Sequence, residues 1–176
     1  MRTKLLLAVS VLMSVGCASE TTDQRAREAE LTVRSLMAAW ERADTELLND
    51  LFWPQATYED FPNQHVYQGV QEIVGYVQAV HDWADAVYWN VGRVHVTEDG
   101  AVAEWVFSGV QSRPIGTQAP MATGNEVVLN GVTIIELEGG RIIRAADYID
   151  TTPLWLQLGG RIEMPGGSVI ELEGIR

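Results

Sequence analysis

Lysine is almost absent from these 176 residues: Lys4 is the only one, and it falls in an N-terminal segment that reads as an export signal. A chain cut after that segment has no side-chain amine for a Schiff base, which excludes pyridoxal-phosphate and class I aldolase chemistry. Cysteine is as scarce. Cys17 stands alone, so an internal disulfide, an iron–sulfur cluster and a four-cysteine zinc site are excluded. The three histidines, His65, His81 and His95, are scattered, with no HExxH or i, i+4 pair, and no metal site is expected. Positive charge is short as well: 12 Lys and Arg against 24 Asp and Glu give a formal net charge of −12. Phosphate binding needs clustered cations, so nucleic acid is excluded as a partner. Ser108 and Ser112 lack the Gly-x-Ser-x-Gly setting of a hydrolase nucleophile.

What remains is 47% hydrophobic and 20% charged, a composition that suits one globular domain and leaves too little chain for two. Residues 1–16 form the leader. Arg2 and Lys4 precede an apolar stretch, Leu5 to Val15, short of the roughly 20 residues that span a bilayer and shaped like an export signal. Gly16-Cys17 then resembles the lipobox of bacterial lipoproteins, where cleavage before the cysteine is followed by diacylglycerol attachment and N-acylation. Ser14 stands where that motif usually has leucine, and Ala18 rather than aspartate follows, which in a Gram-negative lipoprotein favours the outer membrane. The resemblance implies a protein of the bacterial cell envelope held in the lipid bilayer through acylated Cys17. Several acyl chains anchor stably where one is marginal. The alternative is an ordinary secretory signal cut nearby, leaving a free thiol. Loss of Arg2 and Lys4 takes the charge from −12 to −14, and anionic lipid would repel such a surface, so the acyl chains would have to hold it.

Residues 17–24 are polar and read as a tether, 25–160 as the domain, and 161–176 as a hairpin turning at Pro165-Gly166-Gly167 or a loose extension. Val33, Leu36, Met37 and Trp40 share one face of a helix over 23–43. Asp44 reads as the N-cap of a short helix carrying Leu47, Leu48, Leu51 and Phe52, ended by Pro54. Residues 56–60 suggest a short strand, and a loop with Pro62 and Gly69 leads to a helix striped by Val70, Ile73, Val74, Val77 and Val80. There the period changes from 3.6 to 2. Strands are expected at 87–97, 101–109, 126–137 and 141–150, with turns at Asp99-Gly100 and Glu138-Gly139-Gly140, then a short helix near 153–158. Helices followed by antiparallel strands make an α+β domain, a curved sheet with helices on one side, and such a cone tends to enclose an apolar pocket.

The order α-α-β-α-β-β-β-β resembles the cone-shaped nuclear transport factor 2-like superfamily, and the local strings resemble its SnoaL-like branch, which includes polyketide ester cyclases. The likeness covers roughly residues 27–160. It is carried by the loop from Gly109 through Pro114 and Gly116, the Gly140-Arg141-Ile142 turn, a strand with the acids Asp147 and Asp150, and the Leu154–Gly159 helix. It implies that fold, a small-molecule pocket, cofactor-free chemistry and sheets that pair into a homodimer.

Asp147 is the first candidate for chemistry. Period 2 places it between Ala145 and Ile149 on one face of its strand, where desolvation would raise its pKa into the range of a working acid or base. The resemblance matches it to the aspartate with which polyketide cyclases move the substrate proton. The alternative is a structural acid paired with an arginine or capped by backbone N–H groups. Asp60 is second: its ATYEDFP setting resembles the base of ketosteroid isomerase. The oxyanion donors of that enzyme fall here on Leu36 and near Val132, so the isomerase reaction itself is not expected; the alternative for Asp60 is a loop-start acid. The Arg-x-Asp pair of limonene epoxide hydrolases falls on Trp105 and Phe107. Those rings share a face, Tyr58 shares one with Asp60, and Trp89 joins the same interior, whereas Trp40 and Trp155 read as core packing. Such a pocket suits a flat, apolar, partly oxygenated ligand, with Asn130, His65 or Tyr148 as polar neighbours to steady an enolate. Two functions stay open: acid–base catalysis on an apolar carbonyl compound, or a ligand-binding or interaction lipoprotein of the envelope.

Overall fold

The computed structural model describes residues 14–172, with side chains from residue 22 onward. The basic start of the leader and most of its apolar stretch lie outside the described residues, as does the Cys17 side chain. No described helix is long and apolar enough to cross a membrane.

Helix α1 spans Ser14–Arg42, so residues 17–24, expected as a tether, continue the helix instead. Neither glycine nor proline occurs between Cys17 and Arg42 to break it, and Gln24 donates to Glu28 one turn on at 2.9 Å. Its buried stripe is Ala29, Val33, Leu36, Met37 and Trp40. Asp44 caps α2 (Thr45–Leu51) by accepting from the Leu47 backbone N–H at 3.0 Å. Strand β1 begins at once, at Phe52, and runs to Asp60. Pro54 therefore lies within the strand rather than ending the helix, which stops before it. The expected loop after β1 contains a four-residue edge strand, β2 (His65–Gln68). Gly69, at φ 82°, turns the chain from β2 into α3 (Val70–His81), a backbone conformation that glycine adopts without steric penalty. The buried residues of α3 are Val70, Ile73, Val74 and Val77.

Four long strands follow: β3 (Ala84–Val96), β4 (Gly100–Gln111), β5 (Glu126–Glu138) and β6 (Arg141–Ile149). Together with the first two they form one sheet in the order β2-β1-β6-β5-β4-β3. All neighbours are antiparallel except β1 and β6, which run parallel. Helices α1 and α3 pack on the sheet, and the core lies between them. Its centre is aromatic: the Trp40 ring sits 5.0 Å from Tyr76, 5.3 Å from Trp89 and 5.8 Å from Tyr58. Edge-to-face and tilted contacts of this kind add to simple burial. A last short helix, α4 (Thr152–Gln157), packs on β5. Of the two readings of the tail, the structure has the hairpin, β7 (Ile162–Glu163) with β8 (Val169–Ile170), its turn closed by Met164 N–H donating to Ser168 O at 2.8 Å.

Candidate functional site

Period 2 in the sheet decides which polar groups look inward. On β6, Ala145 and Asp147 face the helices, paired with Tyr58 and Asp60 of β1 in the parallel ladder. On β5 the inward positions are Val127, Leu129, Thr133 and Ile135, and Thr133 pairs with Asp147. On β4 they include Trp105 and Phe107. Trp105 pairs with Gly131, and this glycine makes room for the indole: a Cβ there would come within 2.3 Å of the ring.

Asp147 is 3% exposed. Its Oδ2 accepts from the Tyr58 hydroxyl at 2.9 Å, and its Oδ1 accepts a short hydrogen bond from the Thr133 hydroxyl. Thr133 in turn accepts from the Trp105 indole N–H at 2.8 Å. An indole, a hydroxyl and a carboxyl thus form a chain across β4, β5 and β6. Burial pushes the Asp147 carboxyl up to about 7, against the pull of its two hydroxyl donors and with a further push from the nearby charge of Asp60. Burial likewise holds the Tyr58 and Tyr76 hydroxyls well above the ordinary phenol range. At neutral pH both forms of Asp147 are populated, so it can accept and return a proton.

A cavity of about 70 Å³ lies against this carboxyl. Its walls are the rings of Trp40, Trp83, Trp89, Trp105, Phe107 and Tyr76 with the aliphatic Val80, Leu129 and Ile149, and Asp147 is the one charged residue among them. That space is large enough for water or for the reacting end of a ligand. Two donors in the same wall lack an acceptor among the described residues, the indole N–H groups of Trp40 and Trp89.

The residues matched by the SnoaL-like domain model are 33–145. The chain belongs to the SnoaL-like family. Its fold is shared with TsrD from Streptomyces laurentii, at 23% identity over 76% of this chain and 96% of that one with a TM-score of 0.66. It is shared equally with IdmH from Streptomyces antibioticus, described as a proposed polyketide cyclase, at 19% identity over 74% and 98% of the two chains with a TM-score of 0.67. A protein of ketosteroid isomerase-like fold from Catenulispora acidiphila aligns at 20% identity over 73% and 92%, TM-score 0.63. These likenesses establish the nuclear transport factor 2-like architecture. No curated protein matches the chain.

In this SnoaL-like protein Asp147, two residues past the matched segment, comes together with Trp105, Phe107 and Trp89 around the cavity, and Tyr58 reaches it through its hydrogen bond to Asp147. Asp60 does not line it. It is 1% exposed, ends β1, and accepts from the Asn63 backbone N–H at 3.3 Å and side-chain amide at 2.7 Å, which fixes the turn into β2. Asn130 is corrected outright. It is exposed and lines a separate hollow on the opposite face of the sheet with Asn90, Glu104 and Tyr148, because even-numbered positions of β5 point away from Thr133. Tyr148 shares that outer face, 45% exposed and stacked on Phe61 at 4.4 Å. His65 is exposed too, on β2 beside a surface groove formed with Tyr67, Glu72 and Tyr76, its ring edge-on to Tyr67 at 4.4 Å. The polar neighbours expected to steady an enolate therefore look elsewhere. Sequence reasoning missed Thr133, two residues beyond Gly131 on the inward parity, and it assigned Trp40 to packing alone. Among the described residues no group of three or more His, Cys, Asp or Glu is placed to hold a metal.

Proposed function

We propose that this protein is an envelope SnoaL-like enzyme, anchored through an acylated Cys17, that uses Asp147 as a cofactor-free general acid–base on an apolar carbonyl compound. In its ionised form Asp147 removes a proton from the carbon next to the carbonyl. In its protonated form it returns that proton to another carbon, which isomerises the compound; where the carbanion instead attacks a second carbonyl of the same ligand, the C=O π bond opens, the proton goes to the resulting alkoxide and a ring is closed. What carries the reading is the setting of this one carboxyl: nearly sealed from water, at the wall of an aromatic cavity, held by hydroxyls and by no guanidinium. The nearest strand arginine on β6, Arg144, is engaged with Glu59 and Glu136. A purely structural acid would more commonly be found neutralised in that way.

The test is solvent deuterium uptake at the α-carbons of cyclopentanone in D2O, followed by proton NMR. The purified domain is expected to catalyse uptake with a rate that rises through about pH 7 as Asp147 ionises. Asp147→Asn is expected to lose on the order of 10²-fold or more. Equal rates for the two proteins, or no acceleration above buffer, would leave the ligand-binding lipoprotein as the better account.

A further inference from the structure

The cavity beside Asp147 has a volume of about 70 Å³, space for the reacting end of a ligand and little more. A larger space adjoins it. The groove between β2 and α3 offers about 560 Å³, and its lining includes His65, Tyr67, Gly75 and Tyr76. Tyr76 belongs to both linings, so the two spaces meet at one side chain. That side chain is packed unequally on its two sides. Towards the core its ring meets Trp40 at 5.0 Å and Tyr58 at 5.6 Å, both edge-on and both buried. Towards the groove it stacks on Tyr67 at 4.3 Å, the ring planes 13° apart. Tyr67 is half-buried and sits on β2, which has four residues and pairs with β1 alone at the edge of the sheet. An edge strand with one neighbour opens more readily than the core behind it, so the outer side is where this wall can yield.

The lining of the groove sets what can lie in it. It has no Lys or Arg, and its one carboxylate, Glu72, accepts from the Gln68 backbone N–H at 2.7 Å. A carboxylate or phosphate would find no permanent counter-charge there. Val66, Ala79 and the rings of His65, Tyr67 and Tyr76 supply apolar and aromatic surface, suited to a flat, uncharged group that packs by stacking. We infer that the groove is the outer compartment of the Asp147 site. The ligand is an elongated molecule: its small carbonyl end enters the cavity, its flat, uncharged body lies against Tyr67, and Tyr76 turns aside where the two parts join. This rests on the proposed acid–base reading of the cavity and extends it to the size and shape of the substrate.

Two ketones test it, cyclopentanone and 2-benzylcyclopentanone, the second carrying a phenyl ring one carbon from the same head. Methyl NMR of the full chain locates each end, because Leu129 and Ile149 line the cavity whereas Val66 and Ala79 line the groove. Cyclopentanone is expected to move the Leu129 and Ile149 signals alone. The benzyl ketone is expected to move all four and to bind about tenfold or more tightly, through burial of its phenyl ring. Gly75→Leu fills the groove from a position where a Cβ meets no neighbour within 4 Å. It is expected to bring the affinity ratio of the two ketones close to one and to abolish the Val66 and Ala79 shifts. Equal affinities in the wild type, a benzyl ketone that moves only one of the two pairs, or a ratio that survives Gly75→Leu each overturns the inference, as does failure of the benzyl ketone to bind up to its solubility limit. The outcome is separable from the deuterium assay. A benzyl ketone that spans both spaces without exchange of its α-protons removes the acid–base reading alone. Exchange of cyclopentanone, with the groove signals unmoved by the benzyl ketone, removes the groove assignment alone.

Discussion

Asp60 and Asp147 are direct neighbours on the parallel strands β1 and β6, on the same inward face, yet they are held by different donors. Asp60 takes the backbone and amide of Asn63, whereas Asp147 takes two hydroxyls. The charge of the first adds to burial in raising the second.

This gives the domain an inverted pH dependence at one site. Asp147 has a folded pKa of about 7 against 3.8 unfolded, so the folded state holds its proton more tightly. The associated stability is fully present below about pH 4, falls as pH rises from there to about 7, and is level above. From the size of the shift the loss is up to about 4 kcal/mol. Asp147→Asn removes the slope. The variant is expected to come closest to the wild type near pH 3 and to exceed it at pH 8, by urea unfolding at both values. Parallel pH profiles for the two proteins would contradict the buried titration.

Thr133→Val tests the chain that sets this carboxyl. The substitution keeps the shape and removes the hydroxyl, so Asp147 loses a donor and the Trp105 indole loses its acceptor. The unpaired indole alone predicts destabilisation of about 1–3 kcal/mol. Because the Thr133 hydrogen bond lowers the Asp147 pKa, its removal is expected to move the carboxyl further above 7, seen in the carbon NMR titration of the Asp147 carboxyl. A shift downward would show that Thr133 does not favour the ionised form.

How far the sequence discloses such a site depends on whether the information is local. The helix stripes, the Asp44 cap, the strand alternation that turns Asp147 inward and the glycine turn of the tail are written in neighbouring residues, and each appears in the structure. Asn130 is different. Its face follows from the register of β5 against β6, a pairing between strands, and an error of one residue reverses every side chain. Trp40 is different again. A helix shows an apolar face in its sequence, but which residues of that face meet a cavity depends on how α1 lies across β3 and β4. Edge strand β2 has four residues, too few for alternation to stand out from the loop around it.

The proposed anchor predicts a chemical modification. Expressed with its leader in a Gram-negative host, the chain is expected to incorporate radiolabelled palmitate and to partition with membranes. Cys17→Ser is expected to abolish the label. A wild-type product that stays in the periplasmic extract, unlabelled and reactive with a maleimide, would identify Cys17 as a free thiol and the leader as an ordinary secretory signal.

Gly131→Ala asks whether the cavity wall depends on one missing side chain. Gly131 adopts no left-handed backbone; its requirement is space, because a Cβ would lie 2.3 Å from the Trp105 ring. The methyl group must push the indole off Thr133 or bend β5 against β4, and overpacking of this kind costs about 1–3 kcal/mol. If the indole moves, Thr133 loses its donor and the rings bordering Asp147 shift with it. The expected outcome is lower stability in urea together with a displaced Trp105 indole NMR signal. Thr133→Val is expected to displace the same signal by removing the acceptor, and the double variant should then cost less than the sum of the two, since both act on one hydrogen bond. Full additivity would mean that the strand, rather than the indole, yields to the added methyl.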